Sequence, residues 1–482
     1  MHIRIITRFV GILILFLGIS MAFPLLVSLF YEDGSTWAFL FSMGISSCFG
    51  FIVFFLTREK ESPQLNHRDG IAIVTFGWVM AGFFGTLPYL FSGCIPDFTN
   101  AYFESLSGFT TTGASILDDI EFLPKGILLW RSQTQWLGGM GIIVLSIAIL
   151  PFLGVGGMQL YKAEIPSPVV DKLKPRISET AKTLWKVYLL LTVVEIVLLL
   201  AGGMSFFDGI CHAFCTMPTG GFSTKNGSIA HFNSSYLDGI IVLFMLFAGI
   251  NFSLHYKLIK GDFSVFGKDP ECRIFLLLVA VFIFIVTLNI YGSFYDSLAG
   301  AIRYAAFQVS SIITTTGFVT ADYDKWPSLS KHILLICMFI GAMAGSTGGG
   351  IKIMRVMLLV RHSYQEIFRI IHPHAVTTLK VGGKPVPANI LSSIWGFFIL
   401  YMGLFIVATL IMASLGLDFV SALASVAASI GNIGPGLGVV GPVQNFLSVP
   451  VLGKWVLIFC MLLGRLEIYT LIALLVPEYW RK

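Results

Sequence analysis

The sequence predicts an all-α polytopic membrane protein in which four similar units surround a central axis. Three observations carry this. The 482-residue chain is 56% hydrophobic and only 12% charged, about half the charge of a typical soluble domain. Its apolar runs are long enough, at about 20 residues each, to cross a hydrocarbon core of about 30 Å. Short glycine-bearing segments recur between these runs at near-regular spacing, the mark of an internal repeat.

Taken in order, apolar runs at 8–30, 36–56, 71–91, 127–152, 184–203, 237–256, 274–292, 332–360, 392–415 and 452–476 predict ten spans. The first is longer than the apolar region of a signal peptide and ends in no small-residue cleavage site, so it reads as a true helix. Four stretches of about 13 residues are too short to cross and predict re-entrant segments: 100–112, 208–219, 304–316 and 421–433.

Charge orients the chain. With the N-terminus inside, 23 of the 31 basic residues fall on one face, among them Arg4, Arg58, Lys60, Arg68, Lys162, Lys172, Lys174, Arg176, Lys260, Arg361, Arg369, Lys384, Arg481 and Lys482. An excess of Lys and Arg marks the cytoplasmic side. The opposite loops are acidic, with Asp33, Asp97, Asp118, Asp119, Glu121, Asp208, Asp322 and Asp418 among others, and an acidic mouth concentrates cations.

The re-entrant segments end alike: FTTTGAS at Gly113, TMPTGGFS at Gly220, ITTTGFVT at Gly317 and IGNIGPGL at Gly434, spaced 107, 97 and 117 residues apart. Each unit therefore reads span, short helix, strand, span. Non-helical backbone at membrane depth survives only where it is buried or lines a watery cavity. Four such strands at one axis would aim carbonyl oxygens inward to replace the hydration shell of a monovalent cation. That matters because a bare ion in hydrocarbon costs tens of kcal/mol. Glycine permits the unusual backbone angles, threonine hydroxyls can pin the strands, and the C-terminal dipole ends of the short helices favour a cation. The candidate ion-contacting residues are Thr110, Thr111, Thr112, Gly113, Thr219, Gly220, Thr314, Thr315, Thr316, Gly317, Asn432, Ile433 and Gly434.

Two further features interrupt the apolar pattern. GAMAGSTGGGIK at 341–352 packs glycines into the eighth span, each weakening a helix by roughly 1 kcal/mol relative to alanine. It lacks the spacing of a phosphate-binding loop and predicts a flexible break below the strands, built on Gly345, Ser346, Thr347, Gly348, Gly349 and Gly350. Arg465 lies near the middle of the last span, where a charge is costly and faces a cavity or a partner. Carbonyls of the 341–352 segment are the expected partners, because Glu467 is off its helical face. A membrane enzyme would need clustered polar residues; His212, His255, Glu104 and Glu195 read as isolated, and the seven cysteines are scattered without zinc spacing. Neither an enzyme, a disulfide nor a metal cluster is expected.

These segments resemble the TrkH/KtrB superfamily of potassium transporters, related to plant HKT transporters, with the bacterial TrkH branch nearest. SGFTTTGAS, GGMGIIVLSIAILPFLGVGGMQLY, GGFSTKN, AGSTGGGIK, NIGPGLG and LLGRLEIYT carry the resemblance across essentially the whole chain. It implies two N-terminal helices (1–68) and four units at 69–160, 161–262, 263–384 and 385–482. It further implies K+ as the transported ion and filter glycines at Gly113, Gly220, Gly317 and Gly434. An intramembrane gate at 341–352, with Arg465, and a homodimer in the bacterial inner membrane with both termini cytoplasmic belong to the same implication. So does a cytoplasmic ring of TrkA-type subunits, which would carry the NAD or ATP; no organic cofactor is expected on this chain and no nucleic-acid partner. The basic stretches 154–186 and 361–384 are the expected docking loops, or contacts to anionic lipid. Serine at the first filter position accompanies sodium permeation in the superfamily, so Gly113 favours potassium. MPTG and GNIG depart from T-T-T-G, which puts more weight on the glycines than on the threonines. Passive conduction and proton- or sodium-coupled transport share such a filter, and the sequence leaves both open.

Overall fold

The computed structural model describes residues 2–58, 66–148, 177–375, 378–382 and 384–481. Among the described residues, six helical stretches are long and apolar enough to cross a membrane: Ile3–Tyr31, Thr36–Leu56, Arg68–Phe91, Thr180–Ala201, Pro270–Ile290 and Asn389–Ser414. The run at 127–152 corresponds to helix Lys125–Ala148, and that at 332–360 to helices Ser328–Ile340 and Ile353–Ile371 with a non-helical segment between them. The end of the former run, the junction of the first and second expected units, and Lys60, Lys162, Lys172, Lys174, Arg176 and Lys482 lie outside the described residues. Lys380–Val381 and Lys384–Pro385 form a two-stranded antiparallel pair.

Two expected spans are not continuous. The run at 237–256 is helix Ser235–Gly249 followed by Phe252–Ile259, bent by 106°, and the run at 452–476 is Val451–Arg465 followed by Ile468–Leu475, bent by 118°. Apolarity alone does not report these breaks. At the first, Ile250 is extended and the Asn251 side chain caps the next helix through Ser253 N at 2.8 Å. At the second, Glu467 adopts φ 58° and ψ 127°, an uncommon conformation for a non-glycine residue that continues neither helix.

The four re-entrant stretches are short helices: Phe98–Phe109, Phe206–Thr216, Leu298–Ile313 and Phe419–Ile430. Each begins at a side-chain cap, Asp97, Ser205, Ser297 or Asp418, which accepts a hydrogen bond from a first-turn backbone N–H. A Ser or Asp cap is worth about 1 kcal/mol, and the four caps fix where each short helix starts. The opposite ends run straight into the strands.

The N-terminus, the start of the third span and the C-terminus gather at one face. His2 N donates to Asp69 Oδ1 at 2.9 Å, and Arg68 Nη1 donates to Arg481 O at 2.6 Å. The first two spans meet along a small-residue seam where Gly50 lies against the Gly11 and Leu15 backbone, a close approach typical of helices packed in lipid. Several acidic loop residues turn out to serve local structure. Asp33 accepts from Ser28, Ser35 and Gly126 N, Asp238 pairs with Arg303 at 2.7 Å, and Asp97 and Asp418 are caps.

Candidate functional site

Each short helix unwinds into a strand by the same sequence of backbone angles. Thr111, Thr219, Thr315 and Asn432 all have positive φ, at 53°, 57°, 61° and 53°; two residues later Gly113, Gly221, Gly317 and Gly434 follow at 79°, 77°, 82° and 98°. The hydrogen bonds repeat as well. Thr112 N, Gly220 N, Thr316 N and Ile433 N each reach back five residues, to the carbonyls of Ser107, Cys215, Ser311 and Ala428 at 2.8–2.9 Å.

This pattern corrects the alignment of the second strand by one residue. Its turn glycine is Gly221; Gly220 occupies the place of Thr112, Thr316 and Ile433. In TGG the first glycine matches the letters T-G, but only the second carries the left-handed backbone angle, and letters alone do not distinguish them.

The four strands close a ring. A Cβ built on Gly113 would strike Gly220 O; on Gly221, Thr316 O; on Gly317, Ile433 O; and on Gly434 it would lie 2.8 Å from Thr112 O. Each turn glycine thus abuts the carbonyl that precedes the turn glycine of the next strand, and the fourth returns to the first. Side chains are excluded at these positions twice over, by the neighbouring carbonyl and by positive φ.

The side chains alternate around this ring. In strands 1 and 3 a hydroxyl pair stiffens the turn: Thr110 Oγ1 to Thr112 Oγ1 at 2.8 Å, and Thr314 Oγ1 to Thr316 Oγ1 at 2.9 Å. Strands 2 and 4 lack that pair. Strand 2 is held by Gln135, whose Nε2 donates to Gly220 O at 2.7 Å while Oε1 accepts from Phe222 N at 3.1 Å. Strand 4 is held by Asn432, whose Nδ2 donates to Thr112 Oγ1 at 2.9 Å and Met461 O at 3.0 Å. Thr219 Oγ1 turns to the carbonyl of Pro218.

The 341–352 segment lies against the helix-to-strand junctions. Thr347 Oγ1 donates to Met217 O at 2.9 Å, Gly349 N donates to Thr315 Oγ1 at 2.7 Å, and Gly348 and Gly349 approach the carbonyls of Thr314 and Gly431. These contacts join three of the four units. The fourth is reached through Arg465, whose Nη1 donates to Thr347 O at 2.8 Å and Nη2 to Gly138 O at 3.1 Å; Gly138 in turn abuts Phe109 O. Within the segment Ser346 Oγ donates to Met343 O at 2.6 Å. Gly345 and Gly350 have φ 76° and 73°, and Lys352 Nζ donates to Gly348 O. Glu271 Oε1 clasps both ends, accepting from Ala344 N at 2.8 Å and Met354 N at 3.1 Å. Glu467 pairs with Arg355 at 2.6 Å.

Several of these residues escape sequence reasoning. Glu104 is not isolated: it pairs with Arg131 at 2.8 Å, and Arg131 also donates to Ser223 O and Ser115 Oγ just beyond the first two turn glycines. His212 Nε2 lies 2.9 Å from Ser223 Oγ. The available signal was the polar run RSQTQ at 131–135 inside an apolar helix. Glu271 gave none, because a glutamate at the first turn of a helix reads as an ordinary favourable charge.

Comparison with known proteins agrees with this architecture. Residues 37–482 match the family model TrkH, described as a cation transport protein. The chain is 45% identical to the Trk system potassium uptake protein TrkH of Salmonella typhimurium, and 45% identical to that of Escherichia coli strain K12, over 100% of each chain. It is 37% identical to the TrkG protein of the same Escherichia coli strain, over 100% of this chain and 99% of the relative. The crystal structure of the potassium transporter TrkH from Vibrio parahaemolyticus superposes with a TM-score of 0.90 at 40% identity, covering 100% of both chains.

Proposed function

Since the chain belongs to the TrkH family of cation transport proteins, we propose that it takes up potassium across the bacterial inner membrane through the ring of four strands. The observation that carries this reading is the cyclic closure of Gly113, Gly221, Gly317 and Gly434 on the carbonyls of Gly220, Thr316, Ile433 and Thr112. These carbonyls offer an ion oxygen ligands without formal charge, and the short helices present their negative dipole ends below. The ion is cargo; the chain's own task is to hold the ring.

In this reading the 341–352 segment is the gate. It spans the junctions beneath the ring, and Arg465 places a positive charge there while tying the segment to the first unit. Cytoplasmic nucleotide-binding TrkA-type subunits regulate a homodimer, docking on the basic face that carries both termini. The test is ion flux into liposomes holding only the purified protein, with potassium, rubidium and sodium compared with and without a proton gradient. Passive potassium and rubidium flux above that of sodium supports a selective pore. Flux that appears only with an imposed gradient assigns a coupled carrier, and equal potassium and sodium flux refutes the filter.

A further inference from the structure

We propose that Gln135 is a working part of the second filter strand: its amide stands in for the side chain that this strand lacks, and it sets the preference for potassium over sodium. The inference rests on the reading of the ring as the selective path.

At the position before the turn glycine the four strands carry Thr112, Gly220, Thr316 and Ile433, so strand 2 alone has no side chain there. Gln135 fills the vacancy. It is fully buried on helix Lys125–Ala148, and the three atoms nearest a Cβ built on Gly220 all belong to it, with Oε1 at 2.5 Å and Nε2 at 2.8 Å. Gly220 is also not among the positive-φ residues. Its glycine is therefore required by the volume of Gln135 and not by the backbone, unlike the four turn glycines. The two residues form a complementary pair.

The amide orientation is fixed at both ends. Nε2 donates to Gly220 O at 2.7 Å and Oε1 accepts from Phe222 N at 3.1 Å, so Gln135 brackets Gly221 from both sides. Gly220 O is itself the ring carbonyl seated against Gly113. A carbonyl has two acceptor sites, so it can hold the amide and still face an ion. Selectivity among monovalent cations depends on the number, field and placement of such carbonyls. A tethered Gly220 O cannot move inward to suit a smaller ion; released, it can.

The experiment uses the full-length protein in liposomes and reads the potassium-to-sodium flux ratio. In parallel, thermal midpoints in detergent with KCl against NaCl report the same preference without transport. The variants are Q135A, Q135E, G220T, the double variant Q135A/G220T, and G434A as a reference for the ring itself. Q135E keeps the size and the acceptor for Phe222 N but opposes Gly220 O with an oxygen. We expect Q135A, Q135E and G220T each to lower the ratio about tenfold, the equivalent of about 1.4 kcal/mol. The double variant, which returns a threonine to strand 2 and makes room for it, should recover most of the loss. A residue that only packs would leave Q135E, which keeps the volume, at the parent's ratio. If G434A loses the preference while Q135A and Q135E keep it, the inference is overturned and the ring reading stands. If G434A also keeps it, the ring is not the selective path and both fail.

Discussion

Arg465 is the most exposed point of the gate reading to experiment. Its guanidinium is buried and donates to Thr347 O at 2.8 Å and Gly138 O at 3.1 Å. Hydrogen bonds from a charged donor contribute about 1.5–3 kcal/mol each. Arg465→Ala removes both from the closed arrangement, together with the charge that opposes a cation below the ring. If one of the two bonds is lost on opening, the closed-to-open ratio falls by at least tenfold, because about 1.4 kcal/mol is a factor of ten; loss of both lowers it by at least about a hundredfold. Arg465→Lys separates the two effects. It keeps the charge but cannot offer the fixed fork that reaches two carbonyls at once. Flux of rubidium into liposomes should therefore rise most in the alanine variant and by an intermediate amount in the lysine variant. A lysine variant as quiet as the parent assigns the effect to charge alone. An alanine variant that elutes as folded protein and conducts no faster than the parent refutes the role of Arg465 altogether.

The register of strand 2 makes Gly221→Ala a severe change, because its Cβ meets Thr316 O on a left-handed backbone; potassium-over-sodium flux should collapse, and an intact ratio would restore Gly220 as the turn glycine. Removing one member of the buried Glu104–Arg131 pair should cost about 3–5 kcal/mol, seen as a large drop in thermal midpoint for Glu104→Gln or Arg131→Met, whereas the double replacement costs less. At Asp33, burial pushes the carboxyl pKa up, but hydrogen bonds from Gly126 N, Ser28 and Ser35 outweigh it and hold the group below its ordinary value. A lowered folded pKa contributes stability above the unfolded value of about 3.9 and loses it as pH falls through the folded one. The midpoint difference between the parent and Asp33→Asn should thus be steady from neutral pH to about 5 and shrink below about 4; a difference independent of pH would assign it to packing.

What was legible in the sequence follows from what each signal measures. Run length reports the hydrophobic thickness a helix must cross, so the uninterrupted spans and the four short helices were readable in place, although the third short helix starts at Leu298, ahead of the expected 304. The break at 341–352 was readable because clustered glycine lowers helix propensity directly. The bends at Gly249–Asn251 and Leu466–Glu467 were not, since Ile250 and Leu466 are as apolar as their neighbours and run length registers neither the Asn251 cap nor the positive φ of Glu467. The strand-2 register is ambiguous in the letters because TGG contains two candidates, and only the backbone angles and hydrogen bonds of the folded strand decide between them. Arg465 was readable as a costly charge with carbonyl partners, but Glu271, Glu104 and Arg131 matter through partners far away in the chain.

The breaks themselves share one logic. The second spans of units two, three and four are all interrupted near the strand junctions, at Gly249–Asn251, at 341–352 and at Leu466–Glu467. An interrupted helix leaves backbone groups that lipid cannot satisfy. Here the breaks satisfy one another: Met343 N donates to Gly249 O, Thr347 N to Ala248 O and Phe252 N to Gly345 O, at 3.0–3.3 Å. Arg355 and Glu467 close the remaining gap between units three and four. On the proposed reading, a gate built this way cannot swing aside alone. Moving 341–352 strands donors and acceptors on two spans, each costing about 1–3 kcal/mol if left dry. Water must reach those groups as they part. In the proposed mechanism, opening the gate and wetting the pore beneath the ring are therefore a single step.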